Sequence, residues 1–380
     1  MNEVFALTDL GVVSALGLGV DETERRMSAG DTSGMKPLGG LSCGDSTVFG
    51  FAPESAVSPE SVARAGSRVG ALVDAAMEQL RPALDALAAE VPASRIGAVV
   101  GTSNSTMEEF TSNPDRIDMA YPSERLKEKW GVGGPAWSVS TACSSSAKVF
   151  ASARRLIEDG MCDAVVVGGA DAYTRTVVEG FHALEALSPN LTRPLAADRC
   201  GINLGEAAAL FIMRRRAAGE GTVALLGTGE SSDAHHMTAP DPDGRGAEAA
   251  MRAALADAGL SPVDIDYLNL HGTGTTYNDA MECAAVRRVF GDTVRCSSTK
   301  PLTGHCLGAA GAIEAALCWL ALRRGVGMPP HAVEGIDRSL APFPVPSVGD
   351  SHGLTRALSN SFAFGGSNAS VILGRTDDMV

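Results

Sequence analysis

The stretch WSVSTACSSSAKVFASARRLIEDGMCDAVVVGGAD spans Trp137–Asp171. The alternation of Trp137, Val139 and Thr141 predicts a strand, a helix-like segment follows at once, and an apolar run then predicts a buried strand ending at a double glycine. Cys143 therefore stands where a strand turns into a helix, among Ala142, Ser144, Ser145 and Ser146. A helix N-terminus favours a thiolate through its unpaired N–H groups and macrodipole. Small neighbours leave room for a substrate. Taken alone, the segment reads better as a cysteine buried as a small hydrophobe. A catalytic reading needs a base and an oxyanion site from elsewhere in the chain.

With 380 residues and 45% apolar content, the chain can bury a large core of two or more units or one large α/β body. Its net charge of −14 and the absence of a long basic run argue against nucleic-acid binding. Eight cysteines show no C-x-x-C spacing, and several lie in apolar stretches, as expected in a reducing compartment. The N-terminal MNEVFALTDLGVVSALGLGV has no basic n-region and is broken by glycines, so it reads as a strand and turn. No apolar stretch approaches membrane-spanning length, and a cytoplasmic protein without membrane insertion is expected.

An internal echo divides the chain. AMEQLRPALDALAAEVPASRIGAVVGTSNS, from Ala76, reads as helix, turn and strand; AMRAALADAGLSPVDIDYLNLHGTGT, from Ala250, repeats that order. Each half then carries a strand–turn–helix unit and closes on a strand beside a double glycine, AVVVGGAD and SFAFGGSNASVIL. The join falls near Arg214–Gly221, giving halves of 1–218 and 219–380. Buried apolar strands in this order favour sheets covered by helices.

Four polar residues share one kind of position. His271 ends an apolar strand before Gly-Thr-Gly-Thr, Lys300 and His305 follow another strand, and Cys143 follows a third. Ligand and catalytic groups of α/β folds collect outside the carboxyl ends of strands. No H-E-x-x-H or spaced Cys/His set supports a metal, and the adjacent His235 and His236 do not share a face. The dinucleotide fingerprint and the phosphate-binding G-x-x-x-x-G-K are absent.

The segments TACSSS, HGTGT, STKPLTGHCLGAAGAIE and SNSFAFGGSNAS occur in that order, accompanied by GESSDAHHMTAP and GVVSALGLGVDETERRMSAGDTS. Together they resemble the elongating β-ketoacyl-(acyl carrier protein) synthases, thiolase-fold condensing enzymes, over nearly the whole chain. The resemblance implies a five-layered αβαβα body of two similar halves and a homodimer. It implies Cys143 as the nucleophile that holds an acyl chain as a thioester, and His271 and His305 as the pair that promotes malonyl decarboxylation. Lys300 and Glu314 resemble the charged pair that orders His305. Phe364 resembles a gate whose backbone N–H joins that of Cys143 in an oxyanion hole. Thr273, Thr275, Gly365 and Gly366 would leave a narrow channel for a phosphopantetheine arm borne by an acyl carrier protein, and no metal or organic cofactor is implied.

Departures fall in GTSNSTMEEFTSNPDRIDMAYPSERLKEKWGVGGP, residues 101–135, which is shorter than the usual segment. There Asn104, Ser105 and Thr106 are polar where apolar or glycine residues are common, so Asn104 is read as a substrate-facing position and the acyl group stays open. Cys200 and Ala207 replace an aspartate and a glycine common in the family. Arg64, Arg68, Arg125, Lys127 and Lys129 are candidates for docking the carrier, against an ordinary solvated charge face. Two other readings are weighed. One is the active subunit of a heterodimer with a chain-length partner. The other is a coenzyme A thiolase, which the absence of a cysteine in SNSFAFGGSNAS disfavours.

Overall fold

The computed structural model describes residues 3–109, 117–219 and 221–377. Residues 110–116 of the shortened segment, and Glu220 in the expected join, lie outside the described residues. Ten strands run through one sheet: β1 (Glu3–Ser14), β2 (Ile96–Gly101), β3 (Ala136–Val139), β4 (Ala164–Asp171), β5 (Ala207–Ala217), β6 (Val223–Ser232), β7 (Tyr267–Asn269), β8 (Arg295–Ser297), β9 (Arg356–Ala363) and β10 (Ser367–Arg375). Their order is β8-β7-β9-β10-β6-β1-β5-β4-β2-β3, with Gly17–Leu18 as a further short strand on β1.

That order is one five-strand pattern used twice. In the first half β2 pairs in parallel with β3 and β4, and β4, β5 and β1 follow antiparallel. In the second half β7 pairs in parallel with β8 and β9, and β9, β10 and β6 follow antiparallel. Even the irregularities correspond, with a register shift between Leu7 and Asp9 in β1 and another between Leu225 and Gly227 in β6. The halves join where Phe5 faces Leu225 and Ala6 faces Ala224.

Among the described residues are helices α1 (Arg68–Glu90), α2 (Tyr121–Trp130), α3 (Ser145–Glu158), α4 (Arg175–Ala183), α5 (Arg245–Ala258), α6 (Thr276–Phe290) and α7 (Ala310–Arg324), all but α4 layered over this sheet. Helix α1 packs on β1 and β5, and α2 packs on β2 and β3. On the other outer face α5 covers β6 and β10, and α6 packs on α5. Between the halves lie α3 and α7, which touch each other and strands of both halves. The result is the expected five layers.

Side-chain alternation explains the layering. Ala98, Val100 and Val166 join the core under α1, whereas Val99, Val165 and Val167 join the central core with Phe150 of α3 and Ile313 of α7. In β10, Val371 and Leu373 face that central core while Ile372 faces α5 and α6. Strands buried on both faces carry apolar residues at every position, which is why they read as continuous runs. Every residue of α7 from Ala310 to Leu322 is buried. A helix apolar all round belongs in an interior layer.

The central pair is close because small residues meet. A Cβ on Gly311 of α7 would stand 2.7 Å from the backbone nitrogen of Ala147 in α3. Overpacking of this kind typically costs about 1–3 kcal/mol. Gly311→Val should therefore lower the thermal midpoint by several degrees, read by circular dichroism or calorimetry. An unchanged midpoint would contradict this account of the central layer.

Candidate active site

Cys143 sits between β3 and α3, as the sequence predicts, and Ala142 just before it has φ 52°. That conformation is uncommon for a residue with a side chain, and the serines around it hold the turn in place. Ser145 Oγ donates to the Ala142 carbonyl and accepts from Thr141 N–H at 2.9 Å. Ser144 Oγ donates to the Thr141 carbonyl at 2.8 Å and lies 3.0 Å from Ser367 Oγ. Ser146 Oγ accepts the Ala312 N–H of α7 at 2.8 Å. Two of these serines thus lock the bend around the nucleophile and the third ties it to the opposite half.

His305 Nε2 is 3.0 Å from Cys143 Sγ. Its backbone is held by Asn203–Gly205, with His305 N–H donating to the Asn203 carbonyl at 2.7 Å and Gly205 N–H donating to the His305 carbonyl at 3.1 Å. The His271 ring stands edge-on to that of His305, centroids 5.2 Å apart. In each imidazole Nδ1 is buried without a partner. The backbone N–H groups of Phe364 and of Cys143 itself reach toward the sulfur. The Phe364 ring stacks on Phe181, centroids 5.8 Å apart.

Lys300 and Glu314 form a buried ion pair, Nζ to Oε1 at 2.5 Å. Neither makes a hydrogen bond to His305, so the pair acts on the site through charge. Burial first, and then the Lys300 ammonium, hold His271 and His305 well below the usual imidazole range. Both rings are therefore neutral at physiological pH. Burial pushes the Cys143 thiol up to about 12, opposed by Lys300 and the Phe364 N–H. A helix terminus alone favours a thiolate, but burial acts in the opposite direction at this sulfur.

These groups face one cavity of about 370 Å³. Cys143, His271, His305, Thr273, Thr275 and Phe364 line it, together with Cys200, Phe181 and Tyr277. Other expected residues stand elsewhere. Gly365 and Gly366 lie behind Phe364, where Gly365 N–H donates to the Met237 carbonyl and the Gly366 carbonyl accepts from Asp233 N–H. Asn104 does not line the cavity; its side chain is buried and donates to the Ala172 carbonyl at 2.9 Å.

Three of the five docking candidates are engaged within the chain. Arg68 pairs with buried Glu206 at 2.6 Å, and Arg125 and Lys129 both pair with Asp74, at 2.6 and 2.8 Å. Arg64 and Lys127 stay exposed, but neither lines the cavity.

The sequence reading missed the carboxylates that build the loops. Glu282 accepts the N–H groups of His271 and Gly272, each at 2.8 Å, and Asn360 Nδ2 at 3.2 Å. With burial unrelieved by a cation, its carboxyl is raised to about 7. Asp279 accepts Leu195 N–H at 2.9 Å and Gly274 N–H at 3.1 Å. Two acids in the first turns of α6, directly after HGTGT, were the available signal.

Comparison with known proteins identifies the family. Residues 21–218 match the family described as beta-ketoacyl synthase, N-terminal domain, and residues 223–334 match its C-terminal domain. The chain is 32% identical to 3-oxoacyl-[acyl-carrier-protein] synthase 2 of Coxiella burnetii, over 98% of both chains. It is 42% identical to nodulation protein E of Rhizobium meliloti over 63% of this chain and 61% of that one. Among solved structures it resembles a chain of the ketosynthase (ApeO)–chain length factor (ApeC) complex from Xenorhabdus doucetiae, at 40% identity, a TM-score of 0.88 and 98% coverage of each chain. The chain belongs to the β-ketoacyl synthase family, acyltransferases of the thiolase fold.

A thiol raised to about 12 sets a testable pH dependence. Alkylation of Cys143 by iodoacetamide, followed by mass spectrometry of the Trp137–Lys148 peptide, should accelerate about tenfold per pH unit from 7 to 10 without levelling. A plateau near pH 8 would mean that the sulfur is not held protonated.

Proposed function

We propose that this chain catalyses decarboxylative condensation with Cys143 as the acyl carrier and His271 and His305 as donors to the malonyl enolate. The observation that carries this is His305 Nε2 at 3.0 Å from Cys143 Sγ, beside a second neutral imidazole and two backbone N–H groups. In the first step Sγ attacks the carbonyl carbon of an acyl thioester. The new C–S bond forms, the bond to the substrate's original thiol breaks, and that departing thiol carries off the Cys143 proton. The tetrahedral oxygen is held by the N–H groups of Cys143 and Phe364.

In the second step a malonyl thioester loses CO₂. Its electron pair passes to an enolate whose oxygen accepts N–H bonds from the two imidazoles. An imidazolium is not required, because neutral donors suffice where water is excluded. The enolate carbon then attacks the Cys143 thioester, the C–C bond forms, and the sulfur leaves and regains a proton. The thioester already acidifies the α-carbon, so no metal or organic cofactor is needed.

The substrates are thioesters on an acyl carrier protein, supported by the name of the Coxiella relative. The cavity between Thr273, Thr275 and Phe364 receives the arm. No helix among the described residues is long and apolar enough to cross a membrane, in keeping with a cytoplasmic site of action.

The same site also fits the active half of a heterodimer. The 40% identity to a chain of the ApeO–ApeC complex, and 29% identity to a chain of the ishigamide ketosynthase/chain length factor, favour this assembly. Under it, the purified chain alone should condense poorly and gain activity with a homologous subunit. Full turnover by a homodimer of this chain would leave the homodimeric reading.

The half-reactions separate by mutation. Cys143→Ala should abolish condensation and acyl loading while still releasing CO₂ from the malonyl thioester. His305→Ala should lower CO₂ release by about 10²–10³ while permitting acyl loading seen by intact mass. Wild-type CO₂ release by His305→Ala would remove the histidine from its role.

The charge pair gives a pH test. Lys300→Met/Glu314→Gln removes both charges together, because a lone buried charge would unfold the site. Losing the ammonium favours imidazolium, so both histidines rise toward their ordinary range. The acid limb of decarboxylation should then move to higher pH than in the parent enzyme. A limb that stays in place would show that Lys300 does not tune the rings.

A further inference from the structure

Asp171 is the last residue of β4 and is fully buried. Among the described residues no cation pairs with it. Its carboxylate is instead ringed by donors: Thr102 O–H at 2.5 Å, Ser103 N–H at 2.9 Å, Ser103 O–H at 2.8 Å, Asn104 N–H at 3.1 Å, Ser105 N–H at 3.3 Å and Gly308 N–H at 2.7 Å. The first five belong to the loop after β2, in the half that holds the nucleophile. Gly308 belongs to the other half, three residues after His305 and two before α7.

The bracket is tight and specific. Ser103 Oγ donates to Asp171 and also accepts the Gly308 N–H at 3.0 Å. A Cβ on Gly308 would stand 2.4 Å from Ser103 N and 2.7 Å from Asp171 Oδ2, so only glycine lets the turn close on the carboxylate. Leu307, the residue between Cys306 and Gly308, has φ 52°. A strained turn persists only where its surroundings over-determine it, and here the surroundings are Asp171 and Ser103.

We propose that Asp171 is a positioning residue of the condensing site, a carboxylate from the nucleophile half that fixes the turn carrying His305 at hydrogen-bond distance from Cys143. It touches no substrate and acts through that turn. This rests on the role given to His305 above. Lys300, His271, His305 and Asp171 stand around Cys143, and Glu185, Cys200, Asp233 and Tyr277 also line its cavity. Of these, Asp171 is the anion that adds to burial in keeping the sulfur protonated.

Removing its charge should therefore move two observables in opposite directions. Asp171→Asn places an amide NH₂ among N–H donors and loosens the turn. The kcat for CO₂ release from the malonyl thioester should fall about 10²-fold, the scale of a misplaced catalytic group, with KM nearly unchanged. Alkylation of Cys143 at pH 8 should become faster, while the buried Cys283, Cys306 and Cys318 stay unlabelled. Ser103→Ala keeps the charge and removes one bridge, so kcat should fall by a smaller factor with the alkylation rate unchanged.

His305→Ala is measured alongside. If it decarboxylates normally, the histidine assignment fails. If it is inactive while Asp171→Asn keeps the parental kcat, the role of Asp171 alone is overturned. Slow turnover with unaltered or slower alkylation of Cys143 would also overturn it, as would labelling of the buried cysteines. Should Asp171→Asn not fold, parental kcat in Ser103→Ala overturns the proposal.

Discussion

Everything at the active site depends on two helices meeting between the sheet halves. Helices α3 and α7 come from different halves, and each follows a strand and a tight turn. The Ala312 N–H donates to Ser146 Oγ at 2.8 Å, within the first turn of both helices. Their N-terminal ends therefore lie together, and the turns that precede them carry Cys143 and His305. Neither half alone brings the thiol and the imidazole into contact. The burial that makes this packing possible also strips water from the site, and that shifts the titration of Cys143, His271 and His305.

Desolvation dominates the electrostatics. An ammonium and two N–H groups favour a thiolate at Cys143, yet burial is the larger effect and raises the thiol to about 12. The same burial keeps His271 and His305 neutral, and the Lys300 charge works in the same direction on them. The ion pair of Lys300 with Glu314 is thus a charge placed behind the rings rather than a hydrogen-bonding brace. Such pairs contribute little net stability, so its local effect on the titrating rings is the more direct account of its presence.

Much of this was legible in the sequence because the chemistry is local. Cys143, His271 and His305 each sit beside the small residues that admit a substrate, and the duplicated order of elements shows in short patterns. Long-range pairing is what the sequence conceals. Arg125 and Lys129 read as a basic face until the fold brings Asp74 to them from 51 and 55 residues away, and Arg68 until it meets Glu206 from 138 away. Asp171 looks like the ordinary polar end of a strand and Glu282 like an ordinary polar helix position. Most of their donors are backbone N–H groups, which no side-chain pattern announces. The protonated thiol was missed for a related reason: proximity to a helix terminus is visible in a sequence, but depth of burial is not.

The join between the halves has a consequence for the nascent chain. Strand β1 lies at the middle of the sheet, and its two neighbours are β5 and β6. Its partners, from Ala208 to Ala217 and at Ala224 and Leu225, emerge about two hundred residues after it. Until then a long apolar strand, with both edges unpaired, has no native place to go. Such delayed, non-local pairing folds slowly and leaves hydrophobic edges open to other chains. Folding of this chain therefore passes through a stage in which β1 is an aggregation hazard, and the sheet cannot close until β5 and β6 are available to pair with it.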